Sequence, residues 1–314
     1  MINNAINGAF KGKDIVSLDQ FSLSDLLTLF KTTKQIKQAK SLPKSLKDKI
    51  VTLLFYEPSS RTYGSFAAAV KNLGGNTIDV LDPLKSSSVS KGETFEDTIK
   101  VFECYSSAIV IRHPEVGTAI KASKVAQIPI INAGDGIGEH PTQALLDLFT
   151  IFEHHKTLNN LTGVIAGDLL NGRTTHSLIR GLSKFKKDKL YLLSPKQLKL
   201  RKEQLDEFKK HIELIEIESE KDLPKNAHFW YWTRVQKERF NNIKDYEKVK
   251  NKFIVSKKLL DKYAGKNTII LHPLPRVGEI LEEVDNDPRA IYFKTQIKNG
   301  IFVRMALLKL VLGK

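Results

Sequence analysis

Residues 49–62 read KIVTLLFYEPSSRT and are the segment of the chain that is most informative about the fold. Its first part is apolar and rich in β-branched side chains, a composition that predicts a buried strand. Two hydroxyls, a guanidinium and a third hydroxyl follow at residues 59–62, immediately before a helical pattern over residues 63–73. A buried strand that runs straight into a helix is the first half of a parallel βαβ unit.

A polar cluster marks this helix start: Ser59, Ser60, Arg61 and Thr62. The first N–H groups of a helix have no partners inside it and point the positive end of the dipole outward, and an arginine fork fits the paired oxygens of a phosphate. A phosphate-bearing ligand is therefore expected here. The alternative interpretation is that Ser59 or Ser60 only caps the helix.

Strand and helix patterns alternate along the chain. Strands are predicted at 49–57, 76–81, 107–112, 128–132, 161–167, 190–193, 214–217, 227–232 and 268–271, and helices at 66–73, 95–105, 142–155, 174–185 and 197–210. This alternation predicts an α/β fold with parallel sheets flanked by helices. Because 314 residues are about twice a typical domain, we expect two doubly wound lobes, each with a central parallel sheet. Ligands then belong outside the carboxyl ends of the strands.

The composition is that of a globular chain, with 41% hydrophobic residues and no apolar run near the roughly 20 residues that a membrane span needs. Residues 1–4 lack a basic, apolar leader, so we expect a cytoplasmic protein without a membrane partner. The single cysteine, Cys104, excludes an internal disulfide and a cysteine-based metal cluster. We expect it to be a small core residue.

The chain carries 50 Lys and Arg against 35 Asp and Glu, a formal net charge of +15. The lysines are mostly scattered among acidic residues, as at 196–210, with few aromatic side chains between them for stacking on bases. Solvated helix faces explain this pattern better than a nucleic-acid partner does. A non-catalytic scaffold that binds anions or nucleic acid is kept as a distant alternative.

Further polar residues follow the other predicted strands. Arg112 ends one strand, and His140 and Gln143 flank the start of the helix after the next strand. In the second half, Arg173 opens a helix, and residues 233–236 and 272–276 follow two later strands. Each could be structural alone, His140 as part of a helix start before Pro141 and the arginines as solvated charges. The segment at 167–173 lacks the GxGxxG fingerprint, which disfavours a dinucleotide site.

Six motifs stand in the order found in the aspartate carbamoyltransferases, catalytic chain, of the aspartate/ornithine carbamoyltransferase superfamily. They are SSRT at 59–62, RHP at 112–114, HPTQ at 140–143, GRT at 172–174, TRVQ at 233–236 and HPLPR at 272–276. The chain resembles this family from about its first helix to its end. The resemblance implies transfer of the carbamoyl group of carbamoyl phosphate to the amino group of L-aspartate, an early step of de novo pyrimidine biosynthesis. The implied reaction gives N-carbamoyl-L-aspartate and phosphate through a tetrahedral intermediate, without covalent enzyme catalysis, cofactor or metal.

The resemblance also implies residue roles. The implied carbamoyl-phosphate-binding residues are Ser59, Ser60, Arg61, Thr62, Ser88, Lys91, Arg112, His140 and Gln143. Those implied to be catalytic are Arg61, Thr62, Lys91, Arg112 and His140. The implied aspartate-binding residues are Lys91, Arg173, Arg234, Gln236, Pro273 and Leu274. The implied domains are 1–141 for carbamoyl phosphate, with a C-terminal helix at 298–314 packing back on it, and 142–297 for aspartate, with the active site in the cleft between them.

The segment at 84–94, LKSSSVSKGET, reads on its own as an exposed polar connection. In the family, a serine and a lysine of this segment reach the active site of a neighbouring chain. Lys91 matches the lysine, and Ser88 or Ser87 matches the serine. The implied assembly is a homotrimer with shared active sites, and a separate regulatory or dihydroorotase partner stays open.

Two positions depart from the family pattern, and one relative is a close alternative. Leu170 stands where a lysine is common, and Gly278 where an acidic or amide residue is common, which leaves open how the loops on the aspartate side close.

Ornithine carbamoyltransferase shares the phosphate motif, but it usually has His-Cys-Leu-Pro where this chain has HPLP at 272–275. Arg234 would also repel an ornithine ammonium, which favours aspartate.

Overall fold

The computed structural model describes residues 5–86, 88–240, 242–250 and 252–313. Across these residues nine strands are present: β1 Ile50–Phe55, β2 Asn76–Leu81, β3 Ala108–His113, β4 Ile130–Asp135, β5 Thr162–Ala166, β6 Lys189–Leu193, β7 Glu213–Ile217, β8 Phe229–Trp232 and β9 Ile269–Leu271. The α-helices are α1 Leu23–Gln38, α2 Ser60–Asn72, α3 Pro83–Ser86, α4 Phe95–Glu103, α5 Thr118–Val125, α6 Pro141–His155, α7 Arg173–Leu182, α8 Lys202–Lys209, α9 Ile243–Val249, α10 Lys257–Tyr263 and α11 Ile297–Leu312. Short 3-10 turns occur at Leu18–Gln20, Ser88–Lys91, Lys196–Leu198, Glu220–Asp222, Lys237–Arg239 and Glu282–Asn286, and a π-helical turn at Tyr292–Gln296.

The chain divides into two compact units. The first contains the described residues up to Leu146 and those from Asn299 onward, and the second is Asp147–Lys298. Each unit contains one parallel sheet in the described part of the chain, with strand orders β2-β1-β3-β4 and β7-β6-β5-β8-β9. The predicted α/β class, with a helix-flanked parallel sheet in each lobe, is confirmed. The cleft implied by the resemblance stays a prediction.

In the first unit, β1 lies inside the sheet and its residues after Ile50 are buried. Strands of a parallel sheet that is covered on both faces need such near-continuous apolar runs. Ile99 of α4 and Ala119 of α5 pack with Ile109 and Ile111 of β3 in one core cluster. The edge strand β2 is only partly buried, so the core is built on β1, β3 and β4.

In the second unit, β8 supplies four consecutive buried aromatic residues, Phe229, Trp230, Tyr231 and Trp232. The ring of Phe229 packs directly over Gly163 in the neighbouring strand β5. A Cβ atom on Gly163 would lie 2.1 Å from Cζ of that ring, so only glycine fits there. The Trp232 indole donates a hydrogen bond of 2.6 Å to the Phe253 carbonyl. This bond joins the end of the aromatic strand to the segment that precedes α10.

The C-terminal stretch from Asn299 onward contacts elements at the start of the first unit. Lys37 Nζ in α1 donates to Asn299 Oδ1 over 2.8 Å. Arg304 Nη1 donates to Ser65 Oγ in α2 over 3.0 Å, and its guanidinium lies 5.0 Å from the ring centroid of Phe66. These contacts brace α2, the helix whose first turn carries the SSRT motif.

The nine predicted strands are confirmed, with ends displaced by up to three residues. Several helical predictions were incomplete. Helix α2 begins at Ser60 rather than 63, the pattern at 197–210 is interrupted between Leu198 and Lys202, and the segment at 84–94 contains helical turns.

The prediction of a buried Cys104 is wrong, because this residue ends α4 at the surface and is exposed. None of the helices within the described ranges combines the length and hydropathy needed to span a bilayer.

Candidate functional site

The SSRT motif forms the first turn of α2. Ser59 is the N-cap residue, Ser60 is the first helical residue, and the first intrahelical bond runs from the Tyr63 N–H to the Ser59 carbonyl over 3.0 Å. The Ser59 side chain makes no capping hydrogen bond, so the simple capping interpretation is wrong for it. The N–H groups of residues 60–62 precede that first bond and form the positive end of the helix dipole. Arg61 is exposed and Thr62 is buried.

Arg112 lies beside this turn because β3 is the neighbour of β1 in the sheet. The Tyr56 N–H donates to the Arg112 carbonyl over 2.8 Å, and the register pairs Phe55 with Arg112. The guanidinium is almost fully buried, and its Nη2 atom lies 2.8 Å from a carboxylate oxygen of Glu57. A buried arginine needs such a charge partner. The sheet therefore holds a compensated guanidinium near the end of β3, next to the end of β1, the strand that leads into the first turn of α2.

His140 stands at the start of α6, after the last strand of the same sheet. Its carbonyl accepts hydrogen bonds from the Gln143 and Ala144 N–H groups over 3.0 and 3.2 Å, so His140 occupies the N-cap position, immediately before the first helical residue Pro141. Its side chain is buried. The preceding Glu139 is tied to the chain start, because its carboxylate accepts from the Ser17 hydroxyl over 2.6 Å and from the Leu18 N–H over 3.0 Å.

The carboxyl ends of parallel strands meet at one edge of a sheet. The first unit thus places SSRT, Arg112 and His140 at the same edge, with the half-buried Gln143 in the first turn of α6. The 3-10 turn Ser88–Lys91 follows the edge strand β2 and exposes Lys91. Ser87, the alternative to Ser88, lies outside the described residues. A role of this segment in a neighbouring subunit stays a prediction.

In the second unit, Arg173 is the first residue of α7 and is half-buried. The loop before it is tight. Asp168 accepts hydrogen bonds from the Asn171 backbone N–H over 3.0 Å and from its side-chain amide over 3.2 Å. Burial outweighs these bonds and raises the pKa of Asp168. Gly167 has a φ of +114°, and a Cβ atom there would lie 2.1 Å from the Thr233 carbonyl oxygen, so glycine lets the loops after β5 and β8 approach each other.

Arg234 and Gln236 follow β8, the neighbour of β5. The Arg234 guanidinium forms a two-pronged ion pair with Glu238 four residues on, with one bond of 2.9 Å. The hydrogen bond from Arg234 outweighs burial and lowers the pKa of Glu238. Gln236 Nε2 donates to the Asn171 carbonyl over 3.2 Å, which joins this loop to the one that carries Arg173. The structure therefore brings Arg173, Arg234 and Gln236 to one edge of the second sheet.

Pro273 and Leu274 follow β9, next to β8 in the same sheet. The loop is fixed by His272, whose Nδ1 accepts from the Leu274 N–H over 2.7 Å. That bond puts the ring proton on Nε2, which donates to Glu279 Oε1 over 2.7 Å. Burial would raise the pKa of Glu279, but hydrogen bonds from His272 and the Val277 N–H lower it instead. Pro273 and Leu274 are half-buried and lie at the same sheet edge as Arg234.

Two acidic residues of the site were not assigned a role from the sequence. Glu57 pairs with Arg112 and Glu238 pairs with Arg234. The sequence contained a signal for both residues, since each stands within a few positions of a strand end that is also followed by an arginine-bearing motif.

In the residues that the structure describes, no group of three or more His, Cys, Asp or Glu side chains is arranged to hold a metal ion. The chemistry open to the two sheet edges is hydrogen bonding and charge stabilisation of anions and oxyanions.

Two family models cover most of the chain. Residues 13–153 match the aspartate/ornithine carbamoyltransferase carbamoyl-P binding domain, and residues 159–311 match the Asp/Orn binding domain of the same family. The catalytic subunit of aspartate carbamoyltransferase from Clostridium acetobutylicum is 46% identical over 308 residues, which cover 96% of this chain and 99% of that protein. The chain belongs to the aspartate/ornithine carbamoyltransferase family. The resemblance seen in the sequence is confirmed.

Other members of the family show how far the similarity extends. The multifunctional protein pyr1-3 of Dictyostelium discoideum is 46% identical over 314 residues, and the match covers 99% of this chain but only 14% of that protein. Among solved structures, the catalytic subunit of M. jannaschii aspartate transcarbamoylase is 44% identical, with a TM-score of 0.87 and coverage of 95% of this chain and 97% of that one. Trypanosoma cruzi aspartate transcarbamoylase in complex with N-(phosphonacetyl)-L-aspartic acid is 36% identical, with a TM-score of 0.89 and 97% coverage of both chains.

Proposed function

We propose that this chain is an aspartate carbamoyltransferase, which transfers the carbamoyl group of carbamoyl phosphate to L-aspartate in pyrimidine biosynthesis. One observation carries the proposal. Anion-binding donors gather at the carboxyl edge of each parallel sheet, in a chain whose two halves match the two domains of this family. The curated relatives named as aspartate carbamoyltransferase and the solved complexes with carbamoyl phosphate and aspartate support it.

In this proposal the first unit binds carbamoyl phosphate. The phosphate lies at the start of α2, where the N–H groups of the first turn and the Arg61 guanidinium supply donors. The hydroxyl of Thr62, the Arg112 guanidinium and the His140 imidazole face the carbamoyl oxygen, with Gln143 toward the carbamoyl nitrogen. The ion pair with Glu57 compensates the buried positive charge of Arg112.

The second unit then binds L-aspartate. Its two carboxylates are taken by Arg173, Arg234 and Gln236, the three donors that the loops after β5 and β8 hold together. The carbonyls around Pro273 and Leu274 orient the attacking amine. A cationic substrate such as ornithine would bring an ammonium toward Arg234, and this repulsion selects against it.

The chemical step needs a neutral amine. Its lone pair attacks the carbamoyl carbon, the C–N bond forms, and the carbonyl electrons move to oxygen, giving a tetrahedral oxyanion. Donors at Thr62, Arg112 and His140 stabilise this oxyanion more than the planar ground state, which lowers the barrier. Collapse breaks the bond to the phosphate, which leaves and accepts the amine proton. His140 therefore acts as a hydrogen-bond donor rather than as a base.

The assembly belongs to the same proposal. We propose a homotrimer in which Lys91 and Ser88 of one subunit complete the active site of the next. The exposure of Lys91 on the short turn after the edge strand β2 supports this arrangement.

The cytoplasmic location stays a prediction, since an Arabidopsis thaliana relative is named as chloroplastic. Some relatives are multifunctional proteins, so a partner or fused activity stays open.

The test is a direct assay. The purified protein is supplied with carbamoyl phosphate and either L-aspartate or L-ornithine, and both phosphate and the carbamoylated amino acid are measured. A reaction without protein corrects for spontaneous breakdown of carbamoyl phosphate. We expect product with aspartate only. Product with ornithine alone would replace the proposed substrate, and no product with either would refute the function.

A pair of variants on one helix tests the anion site. Arg61→Ala should lower turnover by at least about 100-fold, because the phosphate loses its guanidinium partner. Lys71→Ala removes a positive charge from the last turn of the same helix and should leave turnover within about twofold. Equal activity of the two variants would contradict the placement of phosphate at the first turn of α2.

A further inference from the structure

A buried hydrogen-bonded chain leads from α6 to the loop that carries Pro273. Asp147 is 0% exposed, and its Oδ1 atom accepts a hydrogen bond of 2.7 Å from Gln296 Nε2. The other end of the Gln296 amide, Oε1, accepts from the His272 backbone N–H over 2.9 Å. The second oxygen of Asp147 accepts from the Tyr231 hydroxyl over 2.8 Å.

The orientation of the Gln296 amide is fully determined by these partners. Its amino group faces a carboxylate, which can only accept, and its oxygen faces an N–H, which can only donate. If the amide rotated by half a turn, oxygen would face oxygen at Asp147 and N–H would face N–H at His272. Asp147 therefore fixes Gln296, and Gln296 fixes the peptide that enters the loop.

The chain of contacts continues through His272 itself. Its ring accepts from the Leu274 N–H and donates to Glu279, and the second oxygen of Glu279 accepts from the Val277 N–H over 2.9 Å. Both the peptide entering the loop and the ring inside it are held by buried groups, since His272 is 2% exposed and Gln296 is also 2% exposed. The directions of the carbonyls between them are thereby set.

We propose that Asp147 and Gln296 are positioning residues for catalysis, which act through His272 to aim the carbonyls of Pro273 and Leu274 at the attacking amine. This inference rests on the proposed function, because it assigns those carbonyls to the substrate. Burying a carboxylate and an amide is unfavourable unless each has hydrogen-bond partners of fixed geometry. Because an apolar pair of similar volume would fill the same space, packing alone does not require this polar pair. A buried polar chain that ends at the substrate-binding loop is suited to fixing geometry, and small misplacements of reacting groups have large effects on rate.

The experiment compares two substitutions that each remove one hydrogen bond from the same carboxylate. Gln296→Met keeps the side-chain volume but breaks the route from Asp147 to His272. Tyr231→Phe removes the bond to the other oxygen of Asp147 and leaves that route intact. Steady-state kinetics with carbamoyl phosphate and aspartate, thermal melting, and hydrogen exchange of the peptide that contains residues 272–277 are measured for both and for the wild type.

We expect Gln296→Met to lower kcat on the order of 10- to 100-fold, with the KM for carbamoyl phosphate within about threefold of wild type. Exchange at 272–277 should accelerate. Tyr231→Phe should lose comparable thermal stability while kcat and exchange at 272–277 stay near wild type. Should Gln296→Met not fold, Gln296→Asn, which keeps an amide but is one methylene too short to reach both partners, should show the same loss of kcat.

Three outcomes decide between the interpretations. A loss of kcat that is equal in the Gln296 and Tyr231 variants and follows the melting temperature would overturn the positioning role and leave the proposed function standing. Unchanged kcat and unchanged exchange in the Gln296 variant would overturn it as well. Absence of turnover in the wild type with aspartate would refute the proposed function, and with it the catalytic role of this chain of contacts.

Discussion

The Arg234 guanidinium is held by Glu238 through two parallel hydrogen bonds within a single turn. Such a fork is the geometry in which arginine binds a carboxylate most strongly. The pair keeps the arginine extended at the end of β8, beside Gln236 and the loop of Arg173. Glu238 itself is exposed, so in the proposed function a substrate carboxylate that approaches from solvent would meet a guanidinium that this ion pair already holds in place.

Substitution of Arg234 should therefore affect one substrate only. We expect Arg234→Ala to raise the KM for aspartate by at least about 30-fold, because a charge-assisted carboxylate contact is lost. The KM for carbamoyl phosphate should change little. Arg239→Ala is the control, since Arg239 is an exposed arginine in the same loop, at the end of the 3-10 turn Lys237–Arg239. A variant of Arg234 that impairs only carbamoyl phosphate binding would contradict the assignment of this side chain.

At the scale of elements, one buried carboxylate joins the starts of two neighbouring strands. Asp188 immediately precedes β6, is 3% exposed, and accepts a hydrogen bond of 2.8 Å from the Leu161 N–H just before β5. Burial, opposed by that one bond, raises the pKa of Asp188 from 3.8 to about 7. The folded protein thus keeps a proton on this group at pH values where the unfolded chain has lost it.

The sign of the pH effect follows from linkage. Below pH 3.8 both states hold the proton, so the full stability is present. As the pH rises toward about 7, the unfolded state ionises first, and stability is lost until the folded carboxyl ionises too. A shift of this size corresponds to a loss of roughly 4 kcal/mol between the two limits. Asp188→Asn should remove this part of the decline.

The measurement is the free energy of unfolding from denaturant titrations at pH 5 and pH 8. Asp206→Asn serves as the control, because it removes the same charge from an exposed position of α8. We expect the difference in stability between the two pH values to shrink in Asp188→Asn and to be unchanged in Asp206→Asn. An unaltered difference in both would show that Asp188 is ionised in the folded protein.

The sequence predicted strands better than helix starts, and α2 shows why. The buried runs in β1 and β3 are apolar on both faces, which is a strong signal that depends on the strand alone. The start of α2 is set by backbone geometry after Pro58, and the hydroxyl residues there fit both a cap and a first turn. The helical pattern at 63–73 therefore placed the start of α2 three residues late, and the amphipathic stretch at 66–73 placed it six residues late. The anion-binding interpretation of residues 59–62 did not depend on this boundary.

Pairing between side chains could not be predicted in the same way. The positions of Arg112 and Arg234 at strand ends followed from the parallel sheet, but their partners Glu57 and Glu238 depend on side-chain geometry. The bond from Asp147 to Gln296 joins residues 149 positions apart in the chain. Sequence patterns within short windows carry no information on a contact between residues so far apart, so the support for the loop at 272–275 became visible only in the structure.

The proposed sharing of active sites between subunits has a measurable consequence for the assembled enzyme. Arg61→Ala and Lys91→Ala should each be nearly inactive alone, because each removes one contributor to every site. If the two variants are mixed and allowed to exchange subunits, a site formed by Arg61 of one chain and Lys91 of a neighbour is restored. Random assembly from equal amounts gives about one quarter of sites with both residues.

Activity should therefore recover toward about one quarter of the wild-type value after exchange. Each variant mixed with itself under the same treatment is the control, and native mass spectrometry of differently tagged chains shows that exchange has occurred. Lack of recovery in samples with demonstrated exchange would indicate that Arg61 and Lys91 act within one chain.

The return of the chain to the first unit has a consequence for synthesis. Residues from Asn299 onward belong to that unit, and Arg304 braces α2 at Ser65 and Phe66. The ribosome makes these residues after the whole of the second unit. The amino-terminal half lacks these contacts until Arg304 has been made and has left the ribosome, so a nascent chain that stalls earlier lacks the brace behind the first turn of α2.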